Sequence, residues 1–489
     1  MKLIGIYCLV PWLYCIQLFA QPQNYTLEQV IIEGNKRTKP TIIRRELAYK
    51  EGDLVPAAAA DSLMKWERNK IFNTNLFVTV DVKLIRHDSN ATADIHIKVH
   101  EMWYTIPQPI FEQADRNLNE LIFIYGLDVS RLNYGIRLLQ RNCRGRNETL
   151  KFTFQAGYVN NYEVSYDIPY INKKQTIGIS PVVSYSDGRK LMAYTQNHLL
   201  KEFMLPDTSK VRFAYRAGLS IRYRPHYFTN HNFEMYYNYG HISDSLARHV
   251  NPDYYLQQRN TVRYFSSKYT FTYDTRDRKQ FAHKGLYLNI ELEQLGFTNI
   301  DSIHLTRLFV THNRYFELGK RFLYAYKIRT KLSAPVIQPY AESRAMGDRN
   351  KEDFVRGYEI FVTEGQHYFL NRNSLRYRVF STILDFKKII PIRQFRVVPV
   401  DTYITLFADW GYVARNDVYA PMYGNYFLAN RLIGSMGAAL NIVSYYNTVV
   451  RLECSFTDYN FQKQILGNDN LDPTYQKRSV FNFSILTDI

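Results

Sequence analysis

Lys151-Phe152-Thr153-Phe154-Gln155-Ala156-Gly157-Tyr158 reads polar, apolar, polar, apolar, and the pattern restarts in Tyr162-Glu163-Val164-Ser165-Tyr166-Asp167-Ile168. A period of two sends alternate side chains to opposite faces of a strand, so the large residues of each segment share one face. The same alternation returns at Phe233, Met235, Tyr237 and Tyr239, at Tyr269, Phe271 and Tyr273, at Leu286, Leu288, Ile290 and Leu292, and at Phe322, Tyr324, Tyr326 and Ile328. It resumes at Val450, Leu452, Cys454 and Phe456 and at Phe481, Phe483 and Ile485. Soluble sandwiches alternate too, but their apolar faces meet in a shared core and rarely stay this aromatic over so many strands. Aromatic residues make up 15% of the chain, with 41 Tyr and 30 Phe. Mean hydropathy is nevertheless −0.34. That pairing weighs against a helical membrane protein and suits a transmembrane barrel, whose strands turn alternate residues to lipid and whose rims carry aromatic girdles.

Residues 106–489 number 384. A spanning strand takes about 9 to 11 residues plus its connections, so 16 strands at about 24 residues each fit this length. Twenty-two strands would leave about 17 residues apiece and no room for anything inside the barrel.

The chain before the barrel falls into two pieces. Residues 1–20 have Lys2, an apolar run from Leu3 to Phe19 and Ala20 before Gln21, the pattern of a secretory signal peptide. No other run approaches the roughly 20 apolar residues of a spanning helix. Two cysteines then remain, Cys143 and Cys454, and the apolar phase of Cys454 favours two separate thiols over a disulfide. From residue 25 to 102 the order is strand, helix, helix, strand, strand. Val30 and Ile32 alternate before Gly34-Asn35. Thr38 is placed to cap a helix with Pro40 in its first turn, and Gly52-Asp53 makes a turn. Ala57 to Phe72 reads as a second helix burying Leu63, Trp66 or the Lys70 stem, and Ile71. Two alternating runs, Phe77 to Val82 and Ile95 to Val99, follow.

One long stretch inside the barrel region, Ser333 to Arg372, keeps no alternation. At its centre is Asp353-Phe354-Val355-Arg356-Gly357-Tyr358, with Gly347, Gly357 and Gly365 for tight turns. Val355, Arg356, Gly357 and Tyr358 resemble the Val-Arg-Gly-Tyr/Phe motif of the Omp85 family of outer-membrane barrels, which insert or translocate other proteins. Other segments follow that family in order. Asn133-Tyr134-Gly135 and Arg144-Gly145-Arg146-Asn147 are similar to its barrel start. Asp274, Arg276 and Asp277 are similar to its Asp-Thr-Arg-Asp strand, followed by Gly285. Phe407, Asp409 and Gly411 are similar to its Phe-x-Asp-x-Gly strand, and Ser435, Gly437 and Leu440 to a late Gly-rich strand. The unit at 25–102 resembles a POTRA domain, through Gly34, Asn35 and Thr38, Arg45-Glu46-Leu47, Gly52-Asp53 and Phe77, with Asn75 where Gly is usual. Only one such unit is present. The chain ends Leu486-Thr487-Asp488-Ile489 rather than on the family's usual aromatic.

The expected architecture is thus an α+β POTRA domain (25–102) in the periplasm and an all-β outer-membrane barrel of about 16 antiparallel strands (106–489). The resemblance implies assembly, insertion or translocation of unfolded outer-membrane or secreted polypeptides, engaged by the POTRA domain and by the seam between first and last strands. Outer-membrane lipid or lipopolysaccharide and periplasmic accessory subunits are further implied partners. The resemblance also implies that Arg356 folds inward onto Asp409. Sharing a strand phase with Phe407 and Gly411 suits Asp409 to that, because Gly411 leaves space for a loop to approach. A passive 16-stranded pore and a lipid-handling relative are the alternatives.

The formal charge of +17 suits nucleic acid or anionic lipid alike, but no nucleic-acid module or dense basic helix is present, so no nucleic-acid partner is expected. The 12 His residues are scattered without metal spacing, His87, His226, His283 and His367 among them as solvated turn residues. No nucleophile elbow, P-loop or dinucleotide pattern occurs, and no enzyme, metal or cofactor is expected.

Overall fold

The computed structural model of the chain describes residues 24–489 except 88, 116–119, 173, 208, 280, 348–352, 386–396, 416–424, 426, 445–448, 458–478 and 487–489. The expected signal peptide and the last three residues lie outside the described residues. The chain divides into two compact units, Met1–Trp103 and Tyr104–Ile489.

The first unit is a four-stranded sheet with two helices: β1 (Asn24–Glu33), α1 (Pro40–Glu46), β2 (Leu54–Pro56), α2 (Ala60–Phe72), β3 (Phe77–His87) and β4 (Thr92–Glu101). Sheet order is β2-β1-β4-β3, with β1 and β4 parallel and both outer pairs antiparallel. The three-residue β2 was not expected from the sequence. Ile43, Val55, Ile71, Ile95 and Ile97 are fully buried between sheet and helices.

Thr38 does not cap α1, whose N-cap is Lys39 with no side-chain bond. Its hydroxyl and amide both donate to Glu101 Oε1 at 2.6 Å, alongside the Arg37 amide. A carboxylate that collects several donors outcompetes a local hydroxyl cap, which satisfies one. α2 is also rotated from expectation. It buries Ala60, Met64, Glu67, Lys70 and Ile71, while Trp66 is 46% exposed. Glu67 is held there by Lys70 Nζ at 2.8 Å and by the Ala48 amide at 3.1 Å. At Asn75 the backbone φ is +56°, a left-handed conformation that favours Gly and, among other residues, Asn. That is the physical meaning of the departure from the usual Gly.

In the second unit, sixteen strands from Thr105–Gln113 to Ser479–Leu486 form one sheet in chain order, joined by fifteen antiparallel ladders. A short hairpin, Lys190–Gln196 with Leu199–Met204, and a small two-stranded ladder, Arg344–Met346 with Thr363–Glu364, stand outside it. The apolar phase faces outward: Phe154, Val164, Tyr215, Phe233, Leu292, Trp410, Met436 and Phe456 are exposed on the wall. The opposite phase, including Thr153, Asn289, Thr311, Arg372, Asp409 and Glu453, is buried inside. Lipid requires this inversion of the soluble pattern, since the ladders meet the backbone polar groups between neighbouring strands and the outer side chains meet hydrocarbon. Tyr158 departs from its expected outward phase. The strand Glu148–Gly157 ends at Gly157 (φ +121°), and Tyr158 turns in to bond Glu202 through its hydroxyl at 2.7 Å.

Strand direction alternates, so connections fall at two ends. The near end is where Thr105 begins the first strand, and it carries 144–147, 275–284 and 318–321. The far end carries 189–211, 243–260, 335–366 and 415–431. Far-end loops pack on one another through Leu191, Leu246, Tyr254, Tyr255 and Tyr340. His198 ties three of them: its amide donates to Asn425 Oδ1 at 2.8 Å, its Nδ1 meets Val362 O at 3.2 Å, and its Nε2 accepts from the Leu428 amide at 3.1 Å. Burial pushes the His198 pKa down from 6.5 to about 4. Between those values the unfolded chain takes up a proton that the folded loops refuse, so this loop packing weakens as pH falls through that window and is unaffected above it. Protease access to the far-end loops is therefore expected to rise between pH 7.5 and pH 5, and to stay flat in His198→Gln.

Candidate functional site

The strand Phe322–Ala334 ends and the strand His367–Asp385 begins on either side of a 32-residue connection, 335–366, whose described residues around Arg356 fold into the barrel. Its apolar residues Met346, Val355, Tyr358 and Phe361 pack against Tyr368, Leu370, Val413 and Ile433 of the wall. Gly411 makes room for this: a Cβ there would lie 2.8 Å from Val355 Cγ2. Gly357 has φ +90°, and a Cβ on it would come within 2.5 Å of Thr457 Cγ2. Its amide donates to Glu359 Oε1 at 2.8 Å, closing the turn on itself. Asp353 holds the ingoing side of the loop, paired with Arg329 Nε at 3.1 Å and accepting from the Tyr368 hydroxyl at 3.2 Å.

At the tip, Arg356 is 4% exposed and Asp409 1%. The guanidinium donates in parallel through Nε to Asp409 Oδ2 and through Nη2 to Oδ1, each at 2.7 Å. Nη2 also donates to Asn373 O at 3.1 Å and Ser374 Oγ at 3.3 Å. The cation stands 3.9 Å from the centre of the Phe407 ring. Fork, stacking face and carboxylate together fix both distance and direction, which an ammonium lacks the planar geometry to do. Phe407, Asp409 and Gly411 serve as ring, anion and gap on one phase of the strand Val397–Ala414.

Three neighbours were not singled out from the sequence. Arg372 Nε lies 3.5 Å from Asp409 Oδ2, while Glu453 Oε1 lies 3.8 Å from Arg356 Nη1 and 3.7 Å from Arg451 Nη1. Glu453 and Arg451 share the inward phase of Val449–Thr457, opposite the apolar Leu452 and Phe456; that phase was the signal available.

Asp274, Arg276 and Asp277 are not part of this cluster's hydrogen bonds. Asp274 takes a forked bond from Arg276 at 2.9 and 2.8 Å. Asp277 Oδ1 accepts from the amides of His283 and Lys284 and so shapes the turn before Gly285. His283, expected to be solvated, is buried with Nε2 3.0 Å from the Tyr403 hydroxyl. The POTRA-like residues lie in the other unit. Gly34 (φ +88°) would set a Cβ 2.0 Å from Val99 O, and Asn35 Nδ2 donates to Thr38 O at 3.0 Å. Gly52 (φ +93°) turns in open space, and Phe77 is buried at the start of β3. Among the described residues no group of His, Cys, Asp and Glu is arranged to hold a metal, and Cys143 and Cys454 form no disulfide, the Cys143 thiol donating to Gln140 O at 3.2 Å.

A family model described as the Omp85 superfamily domain matches residues 142–383, and the POTRA model, described as surface antigen variable number repeat, matches 25–102. No curated protein matches the sequence. Among solved structures, the chain is similar to BamA from Haemophilus ducreyi lacking POTRA domains 1–3, at 14% identity and TM-score 0.54, over 89% of this chain and 81% of that one. It is similar to CdiB from Acinetobacter baumannii at 12% identity and TM-score 0.51, over 95% and 74%. CdiB from Escherichia coli matches at 12% identity and TM-score 0.54, over 94% and 76%.

Proposed function

The chain belongs to the Omp85 superfamily and carries a POTRA domain, and from that membership we propose that it assembles, inserts or translocates unfolded polypeptides at the outer membrane. Its barrel sits in the outer membrane with the POTRA domain in the periplasm. In this reading clients are taken up by strand addition, first at the POTRA sheet and then at the barrel seam, and the loop anchored by Arg356 braces the wall beside it.

The observation that carries the reading is the edge of the first barrel strand. Fifteen ladders join sixteen strands, and among the described residues none joins Thr105–Gln113 to Ser479–Leu486. Tyr104 O accepts from the Arg141 amide, and the Ala114 amide donates to Arg131 O, in one unshifted register. Even-numbered residues of this strand therefore bond the second strand, and odd-numbered ones turn their backbone groups to the seam. Pro107 and Pro109 are both odd. An open edge in hydrocarbon is costly for each unmet N–H, and proline has none to leave unmet. Two of five seam-facing positions thus lack a donor, which supports a seam that opens. A double Pro107→Val, Pro109→Val variant is expected to close it: a higher barrel unfolding temperature by heat-modifiable gel migration, and client insertion several-fold slower. Faster or unchanged insertion would remove the seam from the proposal.

At the POTRA sheet only β3 and the short β2 are edges, because β4 lies between β1 and β3. Proline at Ile97 would break the sheet interior, so the client edge to probe is β3. Crosslinkers on β3 and on the two seam strands are expected to capture unfolded barrel precursors, and depletion to lower the amounts of other outer-membrane barrels. Normal barrel levels with an open single-channel conductance would instead identify a passive pore. Outer-membrane lipid against the apolar band and periplasmic accessory subunits on the POTRA domain complete the proposed partners.

A further inference from the structure

Beneath the Arg356 clasp, toward the near end, the lumen keeps a cavity of about 280 Å³ whose lining, among the described residues, includes seven cationic side chains and no acidic one. They come from four directions: Arg276 and Lys279 from the 275–284 turn, Lys327 from one strand, Arg372 and Arg376 from the next, Arg451 from the strand Val449–Thr457, with Arg356 above. Three carboxylates outside the lining, Asp274, Asp409 and Glu453, pair with four of the guanidiniums. Arg376 and Lys279 touch no carboxylate among the described residues. Arg376 donates only to Ala282 O at 3.1 Å and lies 4.1 Å from the centre of the Phe281 ring, while Lys279 is exposed at the near end.

Cations gathered in a low-dielectric wall repel one another and attract an anion strongly. The space is many times the roughly 10–15 Å³ of probe volume that one water needs, so a lone chloride or carboxylate leaves most of it empty. A planar carboxylate engages one guanidinium fork, whereas the tetrahedral oxygens of phosphate reach several donors around it. We propose that this cavity is a binding site for a compact diphosphate anion, either free or carried on a lipid headgroup, reached from the periplasmic end. The site does not depend on what crosses the seam.

The test is calorimetric titration of inorganic pyrophosphate into the purified full-length protein in neutral detergent. One-to-one binding that weakens steeply with added salt is expected. Lys279→Gln, on an exposed turn, is expected to weaken it about tenfold, and Lys279→Gln with Arg376→Gln about a hundredfold, as each removes one charge-assisted contact. Heat-modifiable gel migration checks that both variants keep the barrel. Reconstitution in phosphatidylcholine vesicles with or without a diphosphorylated glycolipid separates the sources. Pyrophosphate excluded only by the glycolipid identifies a headgroup site, and equal binding in both identifies a free anion. No binding by the wild type, undiminished binding by the folded Lys279→Gln variant, or preference for an oligoglutamate peptide over pyrophosphate would each overturn the proposal.

Discussion

Arg356→Ala and Asp409→Ala are each expected to impair client assembly severely while leaving a folded barrel, and the double variant to be little worse than the more damaged single one. The pair is buried and forked, so removing one member leaves the other only a longer-range partner of opposite charge, Arg372 at 3.5 Å for Asp409 or Glu453 at 3.8 Å for Arg356. Breaking such a pair costs on the order of 3 to 5 kcal/mol, much of it the uncompensated charge rather than the lost attraction. Asp409→Ala is the harsher change, because it takes a carboxylate from Arg372 as well as from Arg356. Removing both partners leaves less stranded charge, which makes the combination sub-additive. Arg356→Lys keeps the charge but loses the fork and the Phe407 stacking, so it falls between wild type and Arg356→Ala. The ladders of the wall on both sides of Asp409 pair strand with strand and include no loop residue, which is why the damage is expected on loop seating rather than on the fold. Insertion assays on all four proteins, with gel migration as the folding control, supply the cycle. Strictly additive losses would show that the two residues act separately.

Gly34→Ala is expected to unfold the first unit, or to cost it about 3 kcal/mol or more. Two penalties coincide there. A φ of +88° strains any residue with a Cβ, and the added carbon would sit 2.0 Å from the Val99 carbonyl oxygen, with the Val99 backbone unable to swing aside as a side chain does. Relieving the contact means parting the turn after β1 from β4, next to the ladder that joins them. For a unit of this size, whose whole stability is on the order of 5 kcal/mol, that loss is close to total. Gly52→Ala is the built-in control. Its φ is +93°, but nothing lies within 4 Å, so only the backbone strain of roughly 1 kcal/mol remains. Limited proteolysis of the full chain, following cuts before Trp103 against an intact barrel, reads both. Equal loss in the two variants would mean that the contact with Val99 relaxes freely.

Periodicity is a property of neighbouring residues, and for that reason the strands and the outward apolar phase were legible in the chain alone, while the count of sixteen rested on length together with family likeness. The POTRA order was legible too, because Gly34, Gly52 and Asn75 mark turns through their own backbone conformations. Local signals failed where a distant group offered more. Thr38 was placed to cap α1 until Glu101 collected three donors at once, and α2 turned its Trp66 outward because its buried face is chosen by the sheet beneath it. The phase of Phe407, Asp409 and Gly411 could be read along one strand, while the meeting of Arg356 with that phase rested on family likeness. Sequence determined which residues face the lumen; only tertiary structure decided which of them meet. Register across ladders brings Arg372, Glu453 and Arg451 to the same clasp from strands far apart in sequence, turns Pro107 and Pro109 to the seam, and gathers the cations around one cavity. Side-chain direction is set by the nearest bonds, but partnership inside a barrel is set by how sixteen strands are staggered around it, and no short stretch of sequence contains that information.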